Sequence, residues 1–146
     1  MTTIETTTRD RVASREEQKE VRIVADADGL YQFSADSAGY VEKVILSNGA
    51  VACDGDNGYE VAVYNRSDSD NKLAYVGFGS GTEAAKADDT DVAVAAYETA
   101  TIINETNAES SDRCAAGDLL EIEVDRDGTT VRGTITVIMN YDGIGR

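Results

Sequence analysis

From residue 118 to 141 the chain reads DLLEIEVDRDGTTVRGTITVIMNY, with two runs in which apolar and polar positions alternate. Leu120, Ile122 and Val124 alternate with Leu119, Glu121, Glu123 and Asp125. Further on, Val131, Ile135, Val137 and Met139 alternate with Arg132, Thr134, Thr136 and Ile138. A period of two places one set on each face of an extended strand. Asp127-Gly128 lies between the runs, and glycine readily takes the positive φ of tight hairpin turns. The pattern therefore predicts a β-hairpin, with the rest of the chain built to cover its apolar face.

The same reading upstream predicts short strands over 21–25 and 30–33, separated by the Asp26-Ala-Asp-Gly29 turn. Residues 40–47 (YVEKVILS) are nearly apolar on both faces, which suits a central strand or an interface. Residues 59–65 alternate, RSDSDN at 66–71 is a polar turn, and 72–78 reads as the partner strand. Residues 80–91 (SGTEAAKADDTD) break the β character. Residues 92–97 (VAVAAY) read as a strand in preference to a short helix, and 98–104 (ETATIIN) is β-branched and strand-like. About eight strands, with turn signals between them and no convincing helix, predict an all-β antiparallel sandwich. Loops of ten or more residues suit connections between two sheets, so a jelly-roll-like order is expected.

Residues 1–20 are rich in threonine and then in mixed charge, with few apolar side chains. Such a segment buries too little to offset its ordering entropy. It is expected to form a flexible arm, with at most a helical turn or two over 11–20, ahead of a single domain at 21–146. An arm that orders on a neighbouring subunit is the functional counterpart of a frayed tail.

Charge changes the picture most. The 146 residues carry 13 Lys and Arg against 28 Asp and Glu, a net charge of −15. Residues 1–22 hold five of each sign, so all of the excess lies in the body. A surface of this sign repels phosphate backbones and anionic lipid, which argues against nucleic-acid and membrane partners. Self-repulsion is screened by salt. With 16 Asp and only 4 Lys, the composition resembles that of proteins from extreme halophiles. A chain of this length buries enough surface to need no metal or disulfide. With no long apolar run and no charged-then-apolar leader, the expectation is a soluble product made without a signal peptide.

The candidate chemistry is sparse. The chain has no His, which removes the commonest general base and zinc ligand. Cys53 and Cys114 could meet across one end of a sandwich as a disulfide or remain two buried thiols, since spacing alone does not decide. Asp54 and Asp56 with Asn57 and Glu60, and Asp68 and Asp70 with Asn71, offer oxygens of the kind calcium binds. Neither set follows the EF-hand spacing, and solvated turns are the commoner reading. Glu121 and Glu123 share a strand face, but without Trp platforms they make a poor glycosidase pair. No nucleophile elbow, Walker loop or dinucleotide fingerprint is present. Asn65-Arg-Ser67 and Asn104-Glu-Thr106 match the glycosylation sequon and mark expected surface loops. Six of the seven tyrosines fall in or beside expected strands, as core residues or as half-wet interface groups.

The run Gly39-Tyr-Val-Glu-Lys-Val-Ile-Leu-Ser-Asn-Gly49, the alternating strand from Tyr59, and the close Ala116-Gly-Asp-Leu-Leu-Glu-Ile-Glu-Val124 then Thr134-Ile-Thr-Val137 resemble small β-sandwich accessory capsid proteins of tailed viruses. The resemblance is one of strand and turn order over about residues 21–141. Taken with the acidic composition, it looks like a structural protein of a virus infecting a halophilic archaeon. It implies a non-enzymatic decoration or cement protein without cofactor, often trimeric, seated on the capsid exterior against the major capsid protein. Arg9, Arg11, Arg15 and Lys19 of the nearly neutral arm are then the candidates to dock on an acidic lattice. A receptor- or carbohydrate-binding module of a spike or tail tip is the alternative, with a tyrosine cluster beside the 54–58 or 66–71 loop as its mark.

Overall fold

The structure, a computed structural model, describes residues 4–11, 16–54, 57–79, 92–104, 113–128 and 130–142. Among these are ten strands: β1 (Ile4–Arg11), β2 (Glu16–Val24), β3 (Gly29–Ser34), β4 (Gly39–Asn48), β5 (Gly58–Asn65), β6 (Asn71–Phe78), β7 (Thr99–Ile103), β8 (Arg113–Cys114), β9 (Leu119–Asp127) and β10 (Gly133–Tyr141). All pair antiparallel within two sheets. Sheet A runs β1-β2-β10-β4-β7, with β8 also on β4, and sheet B runs β3-β9-β5-β6.

Setting aside β1 and the two-residue β8, eight strands remain. Numbered afresh in chain order, they lie first-eighth-third-sixth in sheet A and second-seventh-fourth-fifth in sheet B. That is the double Greek-key order of a jelly roll. The expected fold class is met. The chain crosses from sheet to sheet at nearly every connection, and among the described residues only β1–β2 and β5–β6 are hairpins.

The expected C-terminal hairpin does not form. β9 lies between β3 and β5 in sheet B, and β10 between β2 and β4 in sheet A. Both strands are apolar on one face, and central strands satisfy their backbone with two neighbours each. Alternation shows which face is buried but not which strand lies alongside. Gly128, at φ +88°, begins the crossing, and Val131 plugs it, fully buried.

The core forms where the inward faces of the two sheets meet. Sheet A contributes Val21, Ile23, Val41, Val44, Leu46, Ile135, Val137 and Met139. Sheet B contributes Val61, Val63, Leu120, Ile122 and Val124. Each such side chain, fully buried, adds roughly 1.5–3 kcal/mol of hydrophobic stabilisation. Polar side chains tie the layers together. Asn104, fully buried, donates to the Val41 carbonyl in sheet A and the Leu73 carbonyl in sheet B, each at 3.0 Å. Tyr59 of β5 donates to the Ala25 carbonyl at 2.7 Å, and burial raises its pKa.

Two other expectations are corrected. Residues 16–20 are strand and not helical turn, and the boundary placed after residue 20 falls inside β2. From Glu17 to Val24, β2 stays in register with β10, so partner backbone replaces the apolar content the segment lacks. Residues 92–97 form no strand. Val94 makes an isolated bridge to Cys53, and the chain then turns through Tyr97, which adopts φ +61°. Asn48 holds this turn. Its amide nitrogen lies 3.0–3.2 Å from the Val51, Val94 and Ala95 carbonyls, while its carbonyl oxygen accepts from the Gly49 N–H at 2.9 Å.

Candidate functional site

The register gives the two outward faces different chemistry. On sheet B, Glu121 of β9 stands between Gln32 of β3 and Tyr64 of β5, and Tyr64 pairs with Lys72 of β6. One row along, Glu123 stands between Leu30 and Ala62, and Ala62 pairs with Tyr75. Beyond that, Asp125 pairs with Glu60. Glu60, Glu121, Glu123 and Asp125 therefore share one face with a single strand cation, Lys72.

The cations and rings here are engaged with one another. Arg66, from the β5–β6 turn, donates to Glu121 from Nε at 2.9 Å and also from its terminal nitrogen. Gln32 donates to the other Glu121 oxygen at 2.7 Å. These hydrogen bonds, that of Arg66 first, hold the Glu121 carboxyl below the usual carboxylate range although its side chain is buried. The Arg66 guanidinium lies over the Tyr64 ring at 4.3 Å, and Lys72 lies over Tyr75 at 4.4 Å. Glu123 stands beside a second carboxylate instead. Burial, and then the neighbouring Asp125 charge, push its pKa up. Glu123 and Asp125 border an open depression of about 350 Å³ with Asp28, Gly29 and Leu30.

Sheet A presents a neutral, β-branched face. Ile45 pairs with Thr101 on β7 and Thr136 on β10, while Lys43 pairs with Ile103 and Ile138. Val24, opposite Thr134, and Ile103 are exposed apolar residues on this side. The charges of Glu20 and Glu42 are matched by Arg22 and Lys43, and Glu42 also accepts from Gln18 at 2.8 Å and Asn140 at 3.2 Å.

The residues singled out from sequence do not gather. Asp54 precedes β5 and Asp68 and Asp70 follow it, so the length of that strand separates the two loops. Asp70 pairs with Arg66 at 3.3 Å, and Asp56 lies outside the described residues. Among the described residues no three ligand side chains meet in a way that could hold a metal. Cys53 and Cys114 are free and buried. Cys114 pairs beside Gly39 at one end of β4, and Cys53 meets Asn48 at the other. The ten-residue strand between them rules out an intrachain disulfide. Burial pushes the Cys53 thiol up to about 11, with Asp54 adding to it, and raises Cys114 as well.

Lys19 is not presented on an arm. It shares the inward face of β2 with Val21 and Ile23, and its ammonium pairs with Asp36 at 3.1 Å near the Phe33 ring. Arg9 and Arg11 lie on β1 opposite Gln18 and Glu16, and Arg15 lies outside the described residues. Both sequon asparagines are buried, against the surface-loop expectation. Asn104 bridges the sheets, and Asn65 donates to Asp118 at 2.8 Å. Sequence reasoning missed Asn48, Asn65 and Asn104 as tying residues. Their only signal was a position at or just past the end of a strand.

No protein-family model matches the chain, and no curated protein matches it either. Among solved structures, the chain is similar to the crystal structure of FeII HppE at 8% identity and a TM-score of 0.31, covering 96% of this chain and 50% of that one. It is similar also to a structure of infectious bursal disease virus, Gx strain, at 10% identity and a TM-score of 0.38, covering 100% of this chain and 34% of that one. The chain thus spans half or less of each of these two chains.

Proposed function

We propose that this chain is a non-enzymatic virion structural protein that decorates and stabilises the outside of an icosahedral capsid by contacting major capsid subunits. The observation that carries the reading is the difference between the two sheet faces. A chain with net charge −15 keeps one broad face nearly neutral and β-branched, and concentrates carboxylates on the opposite face. A neutral face loses little on leaving water, whereas a carboxylate face is costly to bury. The neutral face of sheet A lies against the shell, and the acidic face of sheet B points to solvent. β1 extends sheet A at its edge and brings Arg9 and Arg11 to that side of the molecule. The resemblance in strand and turn order to accessory capsid proteins supports the same reading.

The alternative, a receptor- or carbohydrate-binding module, draws on Tyr64 and Tyr75 standing together beside the 66–71 turn. Both rings carry a cation from the same chain, which leaves them poorer platforms for a sugar. Density-gradient fractionation of the source culture, followed with an antibody, tests the proposal. Banding with DNA-filled particles and release on lowering salt supports it. Recovery with soluble cell protein, away from the particles, overturns it.

A further inference from the structure

Among the described residues, and setting aside the two-residue β8, sheets A and B have four edge strands, and three of them carry a feature that discourages pairing with another chain. β1 contains Glu5, Arg9, Asp10 and Arg11, and β3 starts at Gly29. β6 contains Lys72, Gly77 and the partner of a register shift. β7, Thr-Ala-Thr-Ile-Ile, has no charge, proline, glycine or irregularity, and it is the kind of edge that recruits a further strand.

The register shows which of its backbone groups face away from β4. The Asn104 amide bonds the Glu42 carbonyl, and the Asn48 amide bonds the Glu98 carbonyl. In an antiparallel ladder alternate residues bond a given neighbour. Ala100 and Ile102 therefore serve β4, and the amides and carbonyls of Thr99, Thr101 and Ile103 point away from it. These three residues are exposed, Ile103 at 53%. Tyr97, 78% exposed in a turn fixed by Asn48, stands just ahead of the strand.

We propose that β7 pairs antiparallel with β7 of a second copy, about a twofold axis through Thr101. The outward residues are symmetric about that position, so Thr101 meets Thr101 of the second copy and Thr99 meets Ile103. Every outward amide then finds a carbonyl, and β-branched side chains pack in pairs. Glu98 falls opposite Asn104 and not opposite another acid, so the contact opposes no like charges in an otherwise acidic molecule. The bodies still repel through their net charge, which makes pairing depend on salt.

The test is sedimentation equilibrium of the purified full chain between about 0.1 M and about 3 M KCl, a range over which the screening length falls severalfold. The expected result is a mass that rises from 15.6 kDa to twice that value with salt. Thr101→Pro removes an amide that faces away from β4, and Thr101→Lys sets like charges opposite each other at the axis. Each variant should remain monomeric at all salt concentrations with an unchanged β-sheet circular dichroism spectrum. If the proline variant does not fold, the lysine variant decides. In wild type, amide exchange at Thr99, Thr101 and Ile103 should slow at least tenfold on dimerisation. A monomer at every salt concentration, a trimer, or a dimer that survives Thr101→Lys overturns the proposal. These readouts need no capsid, so failure here is separate from failure of the virion assignment.

Discussion

Glu121 and Glu123 stand two residues apart on one face of β9, yet folding shifts their proton affinities in opposite directions. Hydrogen bonds from Arg66 and Gln32 favour the ionised form of Glu121, while burial and Asp125 favour the protonated form of Glu123. Glu121, with its pKa lowered, contributes stability above the ordinary Glu value of about 4.3 and loses it as pH falls through the folded value. Glu123, with its pKa raised, contributes stability below about 4.3 and loses it as pH rises through the folded value.

Glu123→Gln should therefore raise the thermal midpoint at pH 7 slightly, by about 1–2 °C, in line with the small effects usual at half-exposed sites. Glu121→Gln should lower it, because Arg66 loses its charged acceptor. Unfolding scans between pH 3 and pH 8 would check both. A gain at pH 7 for Glu121→Gln would show that Arg66 contributes nothing there.

Asn104 bonds backbone carbonyls of both sheets, so its removal strands two buried acceptors. Asn104→Ala should cost about 1–3 kcal/mol per unsatisfied carbonyl, read from urea midpoints at constant m-value. Asn65 and Asn104 should also stay unglycosylated when the folded chain is offered to an oligosaccharyltransferase, because neither amide is accessible.

Both thiols are buried with raised pKa values. Intact-mass measurement after iodoacetamide at pH 8 should find no alkylation of the native chain and two additions in urea. A native chain two mass units lighter, as a disulfide requires, would contradict the placement of Cys53 and Cys114 at opposite ends of β4.

The sequence was most informative where side-chain period alone decides the outcome. β4, β5 and β6 fall within a residue or two of the expected runs, because each is a largely apolar, β-forming run bounded by Gly, Asn or Asp turn residues. Partner choice leaves no such trace. β9 and β10 read as a hairpin because a Gly turn follows one amphipathic run and precedes the next, and nothing local distinguishes a turn from a crossing between sheets. Residues 16–20 read as arm because their stability comes from the β10 backbone, which composition does not report. The site was less legible still. Tyr64, Tyr75 and the β9 carboxylates were visible as residues, but their gathering on one face depends on β3, β5 and β6 lying in register beside β9.

The contrast between the faces leads to a substitution test. Ile45→Asp, on the half-buried neutral face, should weaken shell binding at least tenfold while leaving the chain folded. Glu123→Lys, on the opposite face, should leave binding within twofold. Co-sedimentation of each purified variant with shells stripped of this protein would report both values.

Electron cryo-microscopy of intact particles would show where the chain sits and which sheet faces the shell. Density for this jelly roll is expected on the outer surface, with β10, β4 and β7 of sheet A towards the major capsid subunits and Glu60, Glu123 and Asp125 of sheet B towards solvent. Density with sheet B against the shell, or particles with no density for the chain, would contradict the proposed capsid role.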